Sequence, residues 1–214
     1  MSRSYFTLAT AGEAVFEEKK SRFIGWAAPV EDEKQAQAYL SQRRALHREA
    51  KHHVYAWMIG EDDRFQRSSD DGEPAGTGGR PVLEALKQKG LKNVMVVVSR
   101  YFGGVLLGAG GLTRAYSRSA HMALAAAPAV ENIPGSLCAL RFEYPYLGRV
   151  ESWLKANALP VRDKNFSQDI CFFCLIPQAE LDERRRQLTD ISDGSAHWQV
   201  LDENIWLSRP RENR

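Results

Sequence analysis

The sequence predicts an α+β protein in two domains, and three observations carry that prediction. At 214 residues the chain exceeds the usual single-domain length of about 100 to 150. Strand-like and helix-like runs alternate along its whole length. A stretch with the composition of a linker, APAVENIPG (127–135), follows the longest helical pattern, which sets the domains at 1–132 and 133–214.

The first strand signal is AVFEEKKSRFIGWAAPV (14–30), rich in aromatic and β-branched residues and long enough for one strand or a bent pair. Glu31, Asp32 and Glu33 then crowd a helix start, where the dipole favours acids, and Ala36, Tyr39 and Leu40 form its apolar face. That helix runs into a basic end, RRALHREAKHH (43–53). HVYAWMIG (53–60) reads as a strand closed by glycine, and the polar stretch from Glu61 to Gly79 as a long loop. Pro81 suits a helix start. Val82, Leu83 and Leu86 share one face of that helix, and Lys87, Lys89 and Gly90 supply a dipole-matched end and a stop.

NVMVVVS (93–99) is continuously apolar, as in a strand covered on both faces. A glycine loop then leads into a helix with Leu112, Ala115, Tyr116, Ser119 and Met122 on one side and Arg114, Arg118 and His121 on another; Pro128 ends it. Beyond the linker come a strand near 136–144, a helix near 146–158 and strands near 160–166 and 169–176. A helix near 178–190 and a strand near 196–203 complete a β-α-β-β-α-β order, the ferredoxin-like plan.

Composition is that of an ordinary globular protein, 43% hydrophobic and 26% charged. The start has no sustained apolar segment and no run of about 18 apolar residues occurs, so the expectation is a cytoplasmic protein with no membrane partner. Cys138, Cys171 and Cys174 give no disulfide framework and fit free thiols in a reducing compartment. Net charge is +2, with +3 up to residue 135 and −1 beyond it. That balance is too weak to demand a nucleic-acid partner, so any such role rests on local patches.

Two glycine-rich segments stand out, SSDDGEPAGTGGRP (68–81) and GGVLLGAGGLTRAY (103–116). Neither has the Walker spacing or the dinucleotide fingerprint. In the second, glycines lead into a helix whose first N–H groups lack partners, with Arg114 one turn in, so anion docking stands beside a plain turn-and-packing role for Gly103, Gly104, Gly108, Gly110 and Gly111. Asp70, Asp71 and Glu73 could ligate a hard cation, but they lack the spacing of a calcium loop, and an ordered acidic turn is the simpler reading; no metal or cofactor is expected. Arg43, Arg44, Arg48 and Lys51 form the densest basic segment, either a solvated helix end or a phosphate-contacting patch. His52 and His53 adjoin in a strand and point to opposite faces, which disfavours joint metal ligation. CFFC (171–174) lies in an apolar strand, not at a helix start, so its cysteines read as core. There is no Gly-x-Ser-x-Gly elbow, and no catalytic residue is expected.

The segments SDDGEPAGTGGRPVLEAL and VVVSRYFGGVLLGAGGLTRAY, preceded by KHHVYAWMIG, resemble the signature of the IMPACT family in its bacterial YigZ type. The resemblance implies a first domain with the β-α-β fold of ribosomal proteins and of domain IV of elongation factor G, and a ferredoxin-like second domain similar to domain V of that factor. It implies a non-catalytic protein that regulates translation by meeting RNA, the ribosome or a translation-associated protein. Eukaryotic members carry an additional N-terminal partner-binding domain; this chain begins almost at the first strand of the shared domain, so that extension is expected to be absent. The resemblance selects Asp70, Asp71, Gly72, Glu73, Pro74, Gly76, Thr77 and Arg80 in one loop as ligand-binding. In the other it selects Arg100, Tyr101, Phe102, Gly103, Gly104, Gly108, Gly110, Gly111, Arg114 and Tyr116. The first loop is expected to pack beside the second with its acids facing Arg100 or Arg114. Two alternatives stay open: a metal-dependent enzyme on a nucleotide or phosphorylated small molecule, and a protein–protein adaptor.

Overall fold

A computed structural model describes residues 4–60, 62 and 64–210. They divide into two compact units, 5–131 and 132–209.

The first unit opens with a short strand, β1 (Tyr5–Leu8), and a hairpin of β2 (Gly12–Glu18) and β3 (Ser21–Pro29). Of the two forms allowed for residues 14–30, the chain takes the pair. Lys19 and Lys20 form the connection, both with left-handed φ, 46° and 65°, and Glu18 faces Ser21 in the register. Two consecutive left-handed residues make the turn whose twist matches that of the strands. Helix α1 (Glu33–Leu46) follows, capped by Asp32, whose side chain accepts from the Gln35 N–H. The chain continues through β4 (His52–Ile59), β5 (Phe65–Ser69), α2 (Gly79–Lys89), β6 (Val94–Tyr101) and α3 (Ala109–Ala126).

The strand β5 corrects the reading of residues 61–79 as one long loop. It pairs with β4 at the sheet edge and is almost wholly exposed, so its polar sequence, FQRSS, carries no hydropathic signal while its backbone completes the ladder. The sheet order is β2-β3-β6-β4-β5, with every pairing among these strands antiparallel. Helix α1 covers one face, packing with Tyr55, Trp57, Met95 and Val97; α2 and α3 cover the other over Val54, Ala56, Val96 and Val98. That double cover explains why β6 reads as an unbroken apolar run although its neighbours are antiparallel.

The second unit contains most of β7 (Ala129–Phe142), which starts at the end of the first, then α4 (Leu147–Ala156), β8 (Val161–Phe166), β9 (Ile170–Pro177), α5 (Leu181–Ile191) and nearly all of β10 (His197–Pro210). This is the expected β-α-β-β-α-β order, with the strands lying β10-β7-β9-β8. The segment 127–135 is corrected: most of it is the first part of β7, since neither Pro134 nor Gly135 stops an extended backbone. Along β9, Ile170, Phe172, Cys174 and Ile176 alternate into the core. Cys171 and Cys174 do face opposite ways. Cys174 meets Cys138 directly across the β7–β9 pairing, and burial pushes these two thiols up to about 12 and about 11. Among the described residues no helix is long and apolar enough to cross a membrane.

Candidate functional site

The loop between β5 and α2 is organised by Asp70. Its carboxylate accepts backbone N–H groups from Gly76 (2.9 Å), Gly78 (2.9 Å) and Gly79 (2.8 Å). Helix α2 has no side-chain cap of its own at Gly78, so Asp70 supplies one from eight residues upstream. Burial raises the Asp70 carboxyl, but the three donors outweigh it and hold it below the ordinary carboxylate range. Asp71, at a left-handed φ of 45°, accepts from Arg44 and from the His53 N–H, both at 2.6 Å. Gly72 follows in the same region, and the Pro74 carbonyl accepts from both the N–H and the hydroxyl of Thr77. Gly76 and Arg80 remain exposed.

Glu73 leaves this loop for the interior. Its Oε1 accepts from Arg100 (2.6 Å) on β6 and from the Tyr116 hydroxyl (2.7 Å) on α3, with all three residues buried. Arg100 also reaches Ser21 on β3, and its guanidinium lies 5.5 Å from the ring centroids of Phe23 and Phe102. Burial, then Glu73, holds the Tyr116 hydroxyl far above its ordinary value, so it donates and does not ionise. A carboxylate and a guanidinium removed from water persist together because each compensates the other. One ion pair thus ties the first signature loop to β6 and α3, and the acid that faces Arg100 is Glu73.

The second loop leaves β6 through Tyr101, whose hydroxyl shares a 3.0 Å hydrogen bond with His47 Nδ1. Gly103 lies flat against the hairpin: a Cβ there would stand 2.0 Å from the Lys20 carbonyl group, so glycine is required. Phe102, Val105 and Leu106 are 45%, 41% and 82% exposed. Gly104 and Gly108 take left-handed φ values, 80° and 71°, and Gly108 begins α3 with no side-chain cap.

Where this loop enters α3 there is an open pocket of about 320 Å³. Lys19 from the hairpin turn and Arg114 and Arg118 from α3 line it, with Glu18 the acid among them. Phe16, Leu107, Gly111 and Ala115 form the remaining walls, and the Arg118 guanidinium sits 5.0 Å above the Phe16 ring. Arg114 lies one turn into the helix beside Gly110. No described residue forms an ion pair with Lys19, Arg114 or Arg118. Three cations lining one pocket without ion-pair partners can hold a phosphate, and no nucleophile paired with a base lines it with them.

The basic segment divides differently from its reading as one patch. Arg43 is buried, ion-paired with Glu13 and donating to His47 Nε2; Arg44 is paired with Asp71. Arg48 and Lys51 stay exposed. His52 and His53 diverge, the first bonding the Asp71 carbonyl and the second the Ser99 hydroxyl. Among the described residues, no three His, Cys, Asp or Glu side chains are placed to share a metal ion. Of the cations in the pocket, Arg114 is legible from its place after the glycines and Arg118 only as a position on the helix face. Lys19 is hidden by its place inside a strand-like run; the paired lysines between the two halves of that run are the signal that marks the turn.

The model of the Impact N-terminal domain matches residues 19–124, and a domain of unknown function, DUF1949, matches residues 140–195. The chain is 36% identical to the IMPACT family member YvyE of Bacillus subtilis, over 92% of its own length and 90% of the relative's. It is 35% identical to the IMPACT family member YigZ of Escherichia coli, over 94% and 99%. Human Protein IMPACT is 41% identical over 96 residues, which are 42% of this chain and 29% of that protein. A crystal structure of a hypothetical protein, 33% identical, superposes with a TM-score of 0.63 over 95% of this chain and all of the other.

Proposed function

The chain belongs to the IMPACT family, and from that premise we propose that it is a cytoplasmic, non-catalytic protein that regulates translation by binding RNA on the ribosome. The observation that carries this reading is the pocket at the start of α3, where Lys19, Arg114 and Arg118 converge without carboxylate partners. Fixed cations on a concave surface suit the phosphates of a nucleic-acid backbone, which dominate such affinity. The implied likeness of the two units to domains IV and V of elongation factor G belongs to the same reading, as a comparison of folds. The rival chemistry, a magnesium-dependent reaction held by Asp70, Asp71 and Glu73, meets carboxylates that already accept from this chain's own donors.

Sedimentation with purified ribosomes through a sucrose gradient at physiological salt tests the proposal. The wild type should travel with the ribosomal peak, and the Arg114→Gln/Arg118→Gln variant should remain at the top. Both arginines are exposed, so the variant keeps its core, which circular dichroism checks. Wild-type protein confined to the top of the gradient would sink the proposal.

A further inference from the structure

Resting on that reading, we infer that the site takes unpaired RNA: a phosphate enters the pocket between Lys19, Arg114 and Arg118 while neighbouring bases lie against the exposed Phe102–Leu106 loop. The loop and the pocket are one surface. Gly103 abuts the backbone of Lys20, next to Lys19, and Leu107 at the other end of the loop is a pocket wall. Val105 and Leu106 between those points, and Phe102 just before Gly103, turn apolar side chains to solvent. Arg100 lies behind the Phe102 ring and leaves it 45% exposed, and the buried Glu73 ion pair holds Arg100 in place.

Charge and shape choose the occupant. Three cations against the single acid Glu18 call for an anion, and a pocket at the small end of ordinary ligand-site volumes takes a phosphate, not a broad surface. The apolar loop then asks for something to cover it. A duplex buries its base faces by stacking and presents sugars and phosphates, leaving Leu106 in water. An unpaired strand offers a base face beside each phosphate, the combination that aromatic and cationic single-strand sites use. A flat anionic bilayer also joins charge to apolar depth, but it cannot follow the cations into a concavity.

Fluorescence anisotropy with the full-length protein at physiological salt is the test, using a labelled twelve-nucleotide single-stranded RNA and the same strand annealed to its complement. Flotation with phosphatidylserine-containing vesicles forms the third arm. The single strand should bind at least tenfold more tightly than the duplex, and the vesicles should float free of protein. Phe102→Ser/Leu106→Ser should weaken single-strand binding by about tenfold, within the range of one lost base stack, without changing the salt dependence. Lys19→Gln/Arg118→Gln should reduce the salt dependence. Equal binding of strand and duplex, or an unaffected loop variant, would overturn this inference while leaving RNA binding standing. Binding of neither RNA would overturn both readings, and vesicle capture would move the surface to a lipid partner.

Discussion

Glu73 shows how a signature residue can be structural and still serve the site. Its carboxylate is the shared acceptor of Arg100 and Tyr116, and through Arg100 it supports the ring of Phe102. Replacing Glu73 with Gln leaves a buried guanidinium without its counter-charge, and the expected loss of unfolding free energy in urea titration is about 3 to 5 kcal/mol. A loss below about 1 kcal/mol would mean that the pair contributes no more than a surface one. His47 gives a pH-dependent counterpart. Arg43 donates to its Nε2, so the ring must be neutral, and burial together with Arg43 lowers its pKa below the ordinary 6.5. His53 is lowered in the same sense, by burial first. In both cases the unfolded chain takes up the proton more readily, so stability should fall as pH drops past about 6.5, before the carboxylates titrate. Comparing urea midpoints at pH 7.5 and 5.5 checks this, and His47→Gln should show a smaller difference than the wild type.

Helix α2 is anchored from outside itself. Gly78 offers no capping side chain, and Asp70 takes two of the N–H groups at the helix start together with that of Gly76. Asp70→Ala should therefore cost about 1 to 2 kcal/mol, the value of a strong cap, and lower the melting temperature by several degrees in a calorimetric scan. The opening and closing signals of α1 and the closing signal of α2 were readable in the chain, because local caps, dipole-matched charges and stop glycines act within one turn. The edge strand β5 and the first residues of β7 were not. Both owe their extended form to backbone pairing, β5 with β4 just before it and β7 with strands far along the chain, and neither has a hydropathic face to announce it.

With a net charge of only +2, the molecule has no broad field to bring nucleic acid to it, so any phosphate contact must be local. Three contacts to a single strand predict a slope of about −2 for log affinity against log salt, and replacing Arg44, already paired with Asp71, should leave that slope unchanged. A much steeper slope would show charge recruited from beyond the pocket. Reading along the chain was enough for the two-part α+β plan, the order of elements in the second unit and the glycine-rich segments that carry the family's signature. Periodicity, dipole-matched charges and turn residues are local properties, and they are written where they act. Which acid meets which base was not written there. Arg43 and Arg44 look like Arg114 and Arg118 in sequence, yet the first two are neutralised by Glu13 and Asp71, from distant segments, while the other two are left facing a pocket with Lys19. Pairing of charges depends on distances that exist only after the sheet has brought β2, β3 and α3 together, and so the fold alone separates the cations that hold it from those free to hold something else.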